Sequence, residues 1–445
     1  MKYETKTKRR RYTDWLKRGF SLVLAAILMA SLIGCFKLEP NEPHVSGVLY
    51  SEDAFTTKSP TPLVKVSYPS PSTGKNEVTP EFVDKVDRFG YDSAAVILTA
   101  EGKSANINYS PLSFYYALAV LAPGADGKTQ QEILTALNVD SAKELEQQAG
   151  ALYRDAIFDN ETGKLSIANS VWIDDDLDYK ESYVEKVADT LYAESFYLDL
   201  GSEESGLKQG RWIADNTEGT LAPKLPVYPE LRLRIINTVY FKDSWTLPFD
   251  EKLTKADVFH ATSGDVEVDF MNLVTHGEVV GNDGYLRGEL SFENGGRMVF
   301  VLPDEGVSPL SLVSDGDTAY ETFCGGKETY TDVIWKMPKF TFDNEFELID
   351  AAQDLGIESA FTERADLSGI SDDPLFVSKI TQFTHLRVNE KEVEASAATA
   401  IDIAPTSAAP ADEPAYMILD RPFLFAIYDA QGALLFIGIC NNPAV

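Results

Sequence analysis

Cysteine and histidine are scarce in this 445-residue chain, and their scarcity excludes several classes of protein. The three cysteines, Cys35, Cys324 and Cys440, are too few to build a disulfide framework. The four histidines are scattered and show no metal-ligand spacing, so we expect neither a metal nor another cofactor. The chain also lacks G-x-S-x-G, H-E-x-x-H and any cluster of histidine with cysteine or aspartate. An enzyme is therefore the class with the least support.

Positive charge is also in short supply. The chain has 39 Lys and Arg against 70 Asp and Glu, which gives a formal net charge of −31. Proteins that bind nucleic acids need a basic surface to displace counterions, so a nucleic-acid partner is excluded. We interpret the acidity as a well-solvated surface rather than as a means of attracting a basic partner. Because 44% of the residues are hydrophobic, the chain can still bury a large core.

No apolar run near the amino terminus is long enough for an ordinary membrane span. The run at 20–33 has about fourteen residues, follows eight Lys and Arg, and ends in Leu32-Ile33-Gly34-Cys35. This arrangement is typical of a bacterial lipoprotein signal peptide, residues 1–34, with a diacylglycerol on Cys35. It predicts a chain anchored by lipid to the extracellular face of a bacterial membrane. The alternative is an ordinary secretory signal with a chance cysteine, which predicts a secreted chain.

Residues 35–80 and 81–445 differ in pattern, and the boundary predicts the domain organisation. The first range holds seven prolines among many Ser and Thr without sustained periodicity, which predicts a partly extended linker. From Glu81 to Leu98 apolar residues recur with helical spacing, which predicts an amphipathic helix. We therefore expect one globular domain over 81–445, held at some distance from the membrane by the linker.

A second helix is predicted directly after a short strand. Ser110 is a favourable cap and Pro111 fits the first turn of a helix. The following residues to Leu121 are apolar on every side, which indicates a helix buried in the core.

The stretch 388–407 combines a strand pattern with the beginning of a loop. In a strand, small apolar residues would share one face, namely Val393, Ala395, Ala397, Thr399, Ile401 and Ile403. The opposite face would carry the charges, including Glu392 and Glu394. Residues 405–414 are rich in Pro, Ser and Ala and predict an exposed loop. The alternative is an Ala-rich linker or a short helix, since Ala is the best helix former.

Together with several other motifs, this stretch resembles the serpin family. The motifs occur in the family's order from about residue 81 to the end, and they are SPLS at 110–113, the helix ending at Gly219, the strand 231–245 with Pro248-Phe249-Asp250, and the runs 300–306, 337–340, 365–371, 388–400 and 420–443. The resemblance implies an α+β fold, with three β-sheets, about eight or nine surrounding helices and an exposed reactive loop at about 390–420. It also implies a monomer that inhibits serine proteases and is not itself an enzyme.

In that mechanism the protease attacks the loop and forms an acyl-enzyme, and the freed loop then inserts into the central sheet as a new strand. The residues here permit insertion, because no proline occurs from Glu392 to Ala404. A dozen new ladder hydrogen bonds at about 1 kcal/mol each would release roughly 10 kcal/mol.

The family's usual spacing from Glu390 places the reactive bond at Thr406-Ser407. The loop is longer than usual, so a neighbouring bond such as Ala408-Ala409 is an alternative. No Lys or Arg lies between Lys391 and Arg421, which removes the anchor for a trypsin-like protease. We therefore expect an elastase-like or subtilisin-like target.

The resemblance also assigns roles to two groups of residues. Hinge roles fall to Glu390, Glu392, Val393, Glu394, Ala395, Ala397 and Thr399, and sheet-opening roles to Ser110, Ser113, Asn237, Trp245, Lys339 and Gln382. Lys339 is expected to pair with Glu390, and Gln382 replaces a usual histidine. Glu392 replaces a usual glycine, which lowers backbone freedom and would slow insertion. Slow insertion leaves an alternative, a non-inhibitory serpin-fold binding protein with a protease-labile loop.

Overall fold

The computed structural model describes residues 50–69, 78–282, 284–393 and 413–445. Within these ranges there are nine α-helices: α1 Glu52–Thr56, α2 Pro80–Glu101, α3 Pro111–Leu121, α4 Gly127–Ala136, α5 Ala142–Ala156, α6 Glu181–Leu191, α7 Glu203–Asn216, α8 Gly316–Cys324 and α9 Ile349–Asp354. Seven of them begin after a Ser, Thr or Asp whose side chain accepts an amide hydrogen of the first turn. Local sequence therefore fixes where most helices start.

The two helices predicted from local sequence are both present, and the helix expected to end at Gly219 is α7, which ends at Asn216. The first, α2, buries one face that includes Phe82, Val86 and Phe89. The second, α3, is buried at every residue, and its cap Ser110 accepts a hydrogen bond from the Ser113 amide at 3.3 Å. A helix without a polar face can only be stable inside the core, and α3 contacts strands of both sheets.

The strands form two hydrogen-bonded sheets within the described residues. Sixteen strands are present: β1 Ile107–Tyr109, β2 Phe158–Asp159, β3 Gly163–Asp174, β4 Ala193–Leu198, β5 Leu233–Ser244, β6 Lys255–Ala261, β7 Gly264–Asn282, β8 Tyr285–Ser291, β9 Arg297–Pro303, β10 Thr329–Pro338, β11 Phe340–Glu347, β12 Lys379–Val388, β13 Glu392–Val393, β14 Ala415–Ile418, β15 Phe423–Tyr428 and β16 Leu434–Cys440. The seven-stranded sheet has the order β11-β12-β13-β5-β3-β2, and β4 also pairs with β3, along the same edge as β2. We call it the central sheet, because it holds the hinge.

The second sheet has nine strands in the order β1-β16-β15-β9-β8-β7-β10-β14, with β6 paired to β7. The predicted α+β composition and the nine helices are thus confirmed for the described residues, but the count of sheets differs from the three expected. The reason is β7, whose 19 residues run without a break and pair with β6, β10 and β8 in turn. This long strand joins into one hydrogen-bonded network what would otherwise be two sheets.

Part of the predicted linker packs on the domain. Residues 50–69 contain α1, and Val66 is buried in the main core. No helix in the described part of the chain is long and apolar enough to cross a membrane. The predicted signal peptide and Cys35 lie outside the described residues.

Candidate functional site

In the central sheet, strands β5 and β12 are hydrogen-bonded to each other at one end and are separated by β13 at the other. Strands β5 and β12 pair in parallel over six positions, from Arg234 opposite Lys379 to Val239 opposite Thr384. Beyond that point β13 lies between them, and it is antiparallel to both. We call the six paired positions the seam. The hinge thus already occupies the first positions that a strand inserting between β5 and β12 would take.

The two hinge residues of β13 are both buried. Val393 is paired with Val388 and Asp243 and lies in the main core, as its small apolar face predicts. Glu392 is only 1% exposed, although the sequence places it on the charged face. It does not need glycine's freedom here, because it is not among the described non-glycine residues with positive φ. Alternation along the strand therefore predicted exposure incorrectly for Glu392.

Trp245 holds the turn that precedes β13. Its backbone amide donates to the Lys391 carbonyl at 3.0 Å, and its indole Nε1 donates to the Asn389 carbonyl at 2.9 Å. The ring is 2% exposed and stacks on Phe292 with centroids 4.8 Å apart. Packing against Phe292 therefore holds the indole in place, and the hydrogen bond from the indole holds the turn before β13.

Glu390 is held by several contacts from the same region. Its carboxylate accepts a hydrogen bond from Thr254 at 2.9 Å and lies 3.2 Å from the Lys339 ammonium, so the expected ion pair is formed. Its carbonyl accepts from the Phe249 amide at 2.7 Å. Burial raises the pKa of Glu390, but hydrogen bonds from its own amide, Thr254 and Lys339 outweigh burial and lower it overall. The carboxylate is thus ionised near neutral pH, as the ion pair requires.

A buried polar group lies beneath the seam and contains four of the residues that were assigned sheet-opening roles. Gln382 donates to the Ser110 carbonyl at 2.9 Å and accepts from the Ser110 amide at 3.1 Å. Ser113 donates to Asn237, and Asn237 donates to Asn169 on β3. These bonds join α3 to β12, β5 and β3, so they would have to be rearranged if the sheet opened.

Several predicted site residues cannot be placed. Glu394, Ala395, Ala397, Thr399 and the reactive bond Thr406-Ser407 lie outside the described residues. Their roles, and the functional roles of the residues described above, stay predictions.

Two residues that contact the hinge, Asn389 and Thr254, were not predicted from the sequence. Asn389 turns the chain, since its side chain accepts the amides of Lys391 at 2.9 Å and Glu392 at 3.3 Å. An asparagine just before a change of direction is a common turn signal, and it could have been recognised. Thr254 carries no such signal, because it reaches Glu390 only through tertiary folding.

Comparison with known proteins supports the same family. A sequence model described as "Serpin (serine protease inhibitor)" matches residues 84–443. Serpin-ZXA of Oryza sativa is 30% identical over 77% of this chain and 92% of its own length. The native-state structure of the thermophilic serpin tengpin is 25% identical, with a TM-score of 0.75 over 86% of this chain and all of that one. Human thyroxine-binding globulin shares the fold at 23% identity, with a TM-score of 0.72 over 81% of this chain and 99% of its own.

Proposed function

This chain belongs to the serpin family, many of whose members inhibit serine proteases, and on that premise we propose that it is a suicide-substrate inhibitor of such proteases. The observation that carries the proposal is the position of β13 between β5 and β12. A loop that continues from Val393 along the same line would become a full strand of the central sheet. The seam below β13 is the place that this strand would occupy.

The energetics of insertion favour trapping. Residues 394–404 contain no proline, so each can contribute its donor or acceptor to the ladder. About a dozen net hydrogen bonds of ~1 kcal/mol each would make insertion effectively irreversible. Fourteen residues at about 3.3 Å each would carry an attached protease roughly 45 Å. Pressing the protease against the serpin would disturb the oxyanion geometry that deacylation needs.

We further propose an elastase-like or subtilisin-like target. The support is the absence of Lys and Arg between Lys391 and Arg421, with Thr406-Ser407 as the reactive bond. A trypsin-like pocket would find no basic side chain between Lys391 and Arg421.

The direct test incubates the purified chain with pancreatic elastase, subtilisin or trypsin and resolves the mixtures on denaturing gels. We expect an adduct that survives SDS with elastase or subtilisin and none with trypsin. Mass spectrometry of the released carboxy-terminal fragment identifies the cleaved bond. Clean cleavage with full protease activity remaining would contradict the inhibitor proposal.

The second candidate is a non-inhibitory serpin-fold binding protein. Glu392 favours it, because a buried carboxylate in the hinge is harder to accommodate in a moving strand than glycine. Under this alternative the loop is cut without trapping the protease. The same gels distinguish the two candidates.

We also propose that Cys35 anchors the chain by lipid to the outside of a bacterial membrane. The support is the run of basic residues, the short apolar segment and the cysteine that follows it. Growth with a radioactive fatty acid should label the wild-type chain and leave a Cys35→Ser chain unlabelled. Label retained by the variant would contradict the anchor.

A further inference from the structure

Residues 51–66, here called the strap, pack on α7. The Ser51 amide donates to the Ala222 carbonyl at 2.7 Å, which ties the start of the strap to the segment that follows α7. Ala54 is fully buried against α7. A Cβ on Gly210 of α7 would lie 3.0 Å from the Ala54 Cβ and only 1.8 Å from the Pro223 carbonyl oxygen. Glycine at position 210 thus permits the strap and the segment at Pro223 to approach the helix closely.

Polar contacts fix the strap along the helix. The Arg211 guanidinium donates to the Phe55 carbonyl, lies 5.5 Å from the Phe55 ring centroid and pairs with Asp215 at 2.7 Å. Ser59 donates to the other carboxylate oxygen of Asp215 at 2.5 Å. Arg211 and Asp215, which lie one turn apart on α7, therefore both bind the strap.

The strap also reaches the central sheet. Its Leu63 amide donates to the Ser195 carbonyl of β4 at 2.8 Å, at the edge of the sheet beyond β3. Three residues later, Val66 enters the main core with 5% of its surface exposed. One continuous segment thus joins α7 to β4.

The helix held in this way covers the seam. A hydrophobic cluster on this side of the sheet contains Trp212 of α7, Ile236 of β5 and Phe383 of β12. Ile236 and Phe383 lie on opposite sides of the seam. In addition, buried Arg234 of β5 donates to Gln209 of α7 at 2.6 Å. Separating β5 from β12 must therefore break this cluster and shift α7 from at least one strand.

We propose that the strap clamps α7 over the seam and so limits how often the central sheet opens. With the strap docked, α7 cannot follow one strand away from the other without losing contacts to the strap or to β4. The clamp keeps the chain in its uninserted state until the loop is cut. This role rests on the proposed loop insertion, but the opening of the seam can be measured without any protease.

The test is hydrogen exchange in the full chain carrying Ala54→Glu, with Thr56→Glu as the matched control. Both variants add one carboxylate to α1, but Ala54 is buried and Thr56 is exposed. In Ala54→Glu we expect the amides within 235–239 and 380–384 that bond across the seam to exchange at least about tenfold faster than in wild type. Thr56→Glu should match wild type. The Leu63 amide reports directly whether the strap has left β4.

A chain that lacks residues 50–66 removes the strap altogether. The proposed clamp would be contradicted if exchange at the seam were unchanged in that chain. The same holds if exchange were unchanged in an Ala54→Glu chain whose Leu63 amide has lost protection. Failure of the inhibitor proposal would give a different result. The wild-type chain would form no SDS-resistant adduct, whereas loss of the strap would still accelerate exchange at the seam. If both proposals hold, the strapless chain should also lose inhibitory capacity on storage faster than wild type.

Discussion

The substitution Val393→Arg tests the proposed mechanism most directly. Val393 is fully buried between β5 and β12, so an arginine cannot remain there without a partner for its charge. In the intact chain the two-residue strand β13 can leave the sheet, which costs the burial of one valine, about 1.5–3 kcal/mol, and its few ladder hydrogen bonds at about 1 kcal/mol each. The fold should therefore survive with a released hinge.

The larger effect comes after cleavage. Insertion beyond Val393→Arg requires burying an unpaired guanidinium, which costs several kcal/mol. A barrier raised by about 3 kcal/mol slows insertion roughly 150-fold, while hydrolysis of the acyl-enzyme continues at its own rate. The variant should thus be cut as a substrate instead of trapping the protease.

The assay is the molar ratio of chain to elastase that abolishes protease activity. We expect this ratio to rise steeply for Val393→Arg and the adduct band to give way to the cleaved chain. Val393→Ala is the control, since it shortens the same side chain without adding charge and should still form the adduct. An arginine variant that traps elastase at the wild-type ratio would refute the inference that this position is buried during inhibition.

Three further predictions concern stability. Trp245→Phe removes the hydrogen bond to the Asn389 carbonyl and should lower the free energy of unfolding in urea by about 1–2 kcal/mol. Gln382→Leu leaves the Ser110 amide unpaired, removes one of the two hydrogen bonds to the Ser110 carbonyl, and should cost about 1–3 kcal/mol in the same measurement. Burial raises the pKa of Asp243 to about 7, so its contribution to stability is full below pH ~4 and is lost as pH rises through 7. Asp243→Asn should flatten this decline and be the more stable protein at pH 8, by about 1–2 kcal/mol, and a decline as steep as in wild type would contradict the assignment.

Much of the fold follows from local sequence. Ser110 with Pro111 specifies the start of α3, because a cap and the first turn need only neighbouring residues. The apolar surroundings of α3 likewise predict its burial. The small apolar face of the hinge predicts that Val393 enters the core.

The sequence also pointed to contacts through its resemblance to a family. The resemblance predicted that Glu390 pairs with Lys339, and it grouped Gln382 with Ser110. The members of these pairs are 51 and 272 positions apart in the chain. Neither pairing could be worked out from spacing or propensity, since nothing local links the partners. These contacts were predicted from the fold that members of the family share and not from the local sequence.

Only the tertiary structure decided three features. Glu392 is buried, although alternation along the strand places it on the charged face that was expected to be exposed. The strap follows α7 because Gly210 leaves room for it, whereas its composition indicates a linker. The two-sheet connectivity depends on the unbroken β7. Propensity and periodicity act over a few residues, but these features arise where segments distant in sequence share space, and there the packing of the whole chain determines the outcome.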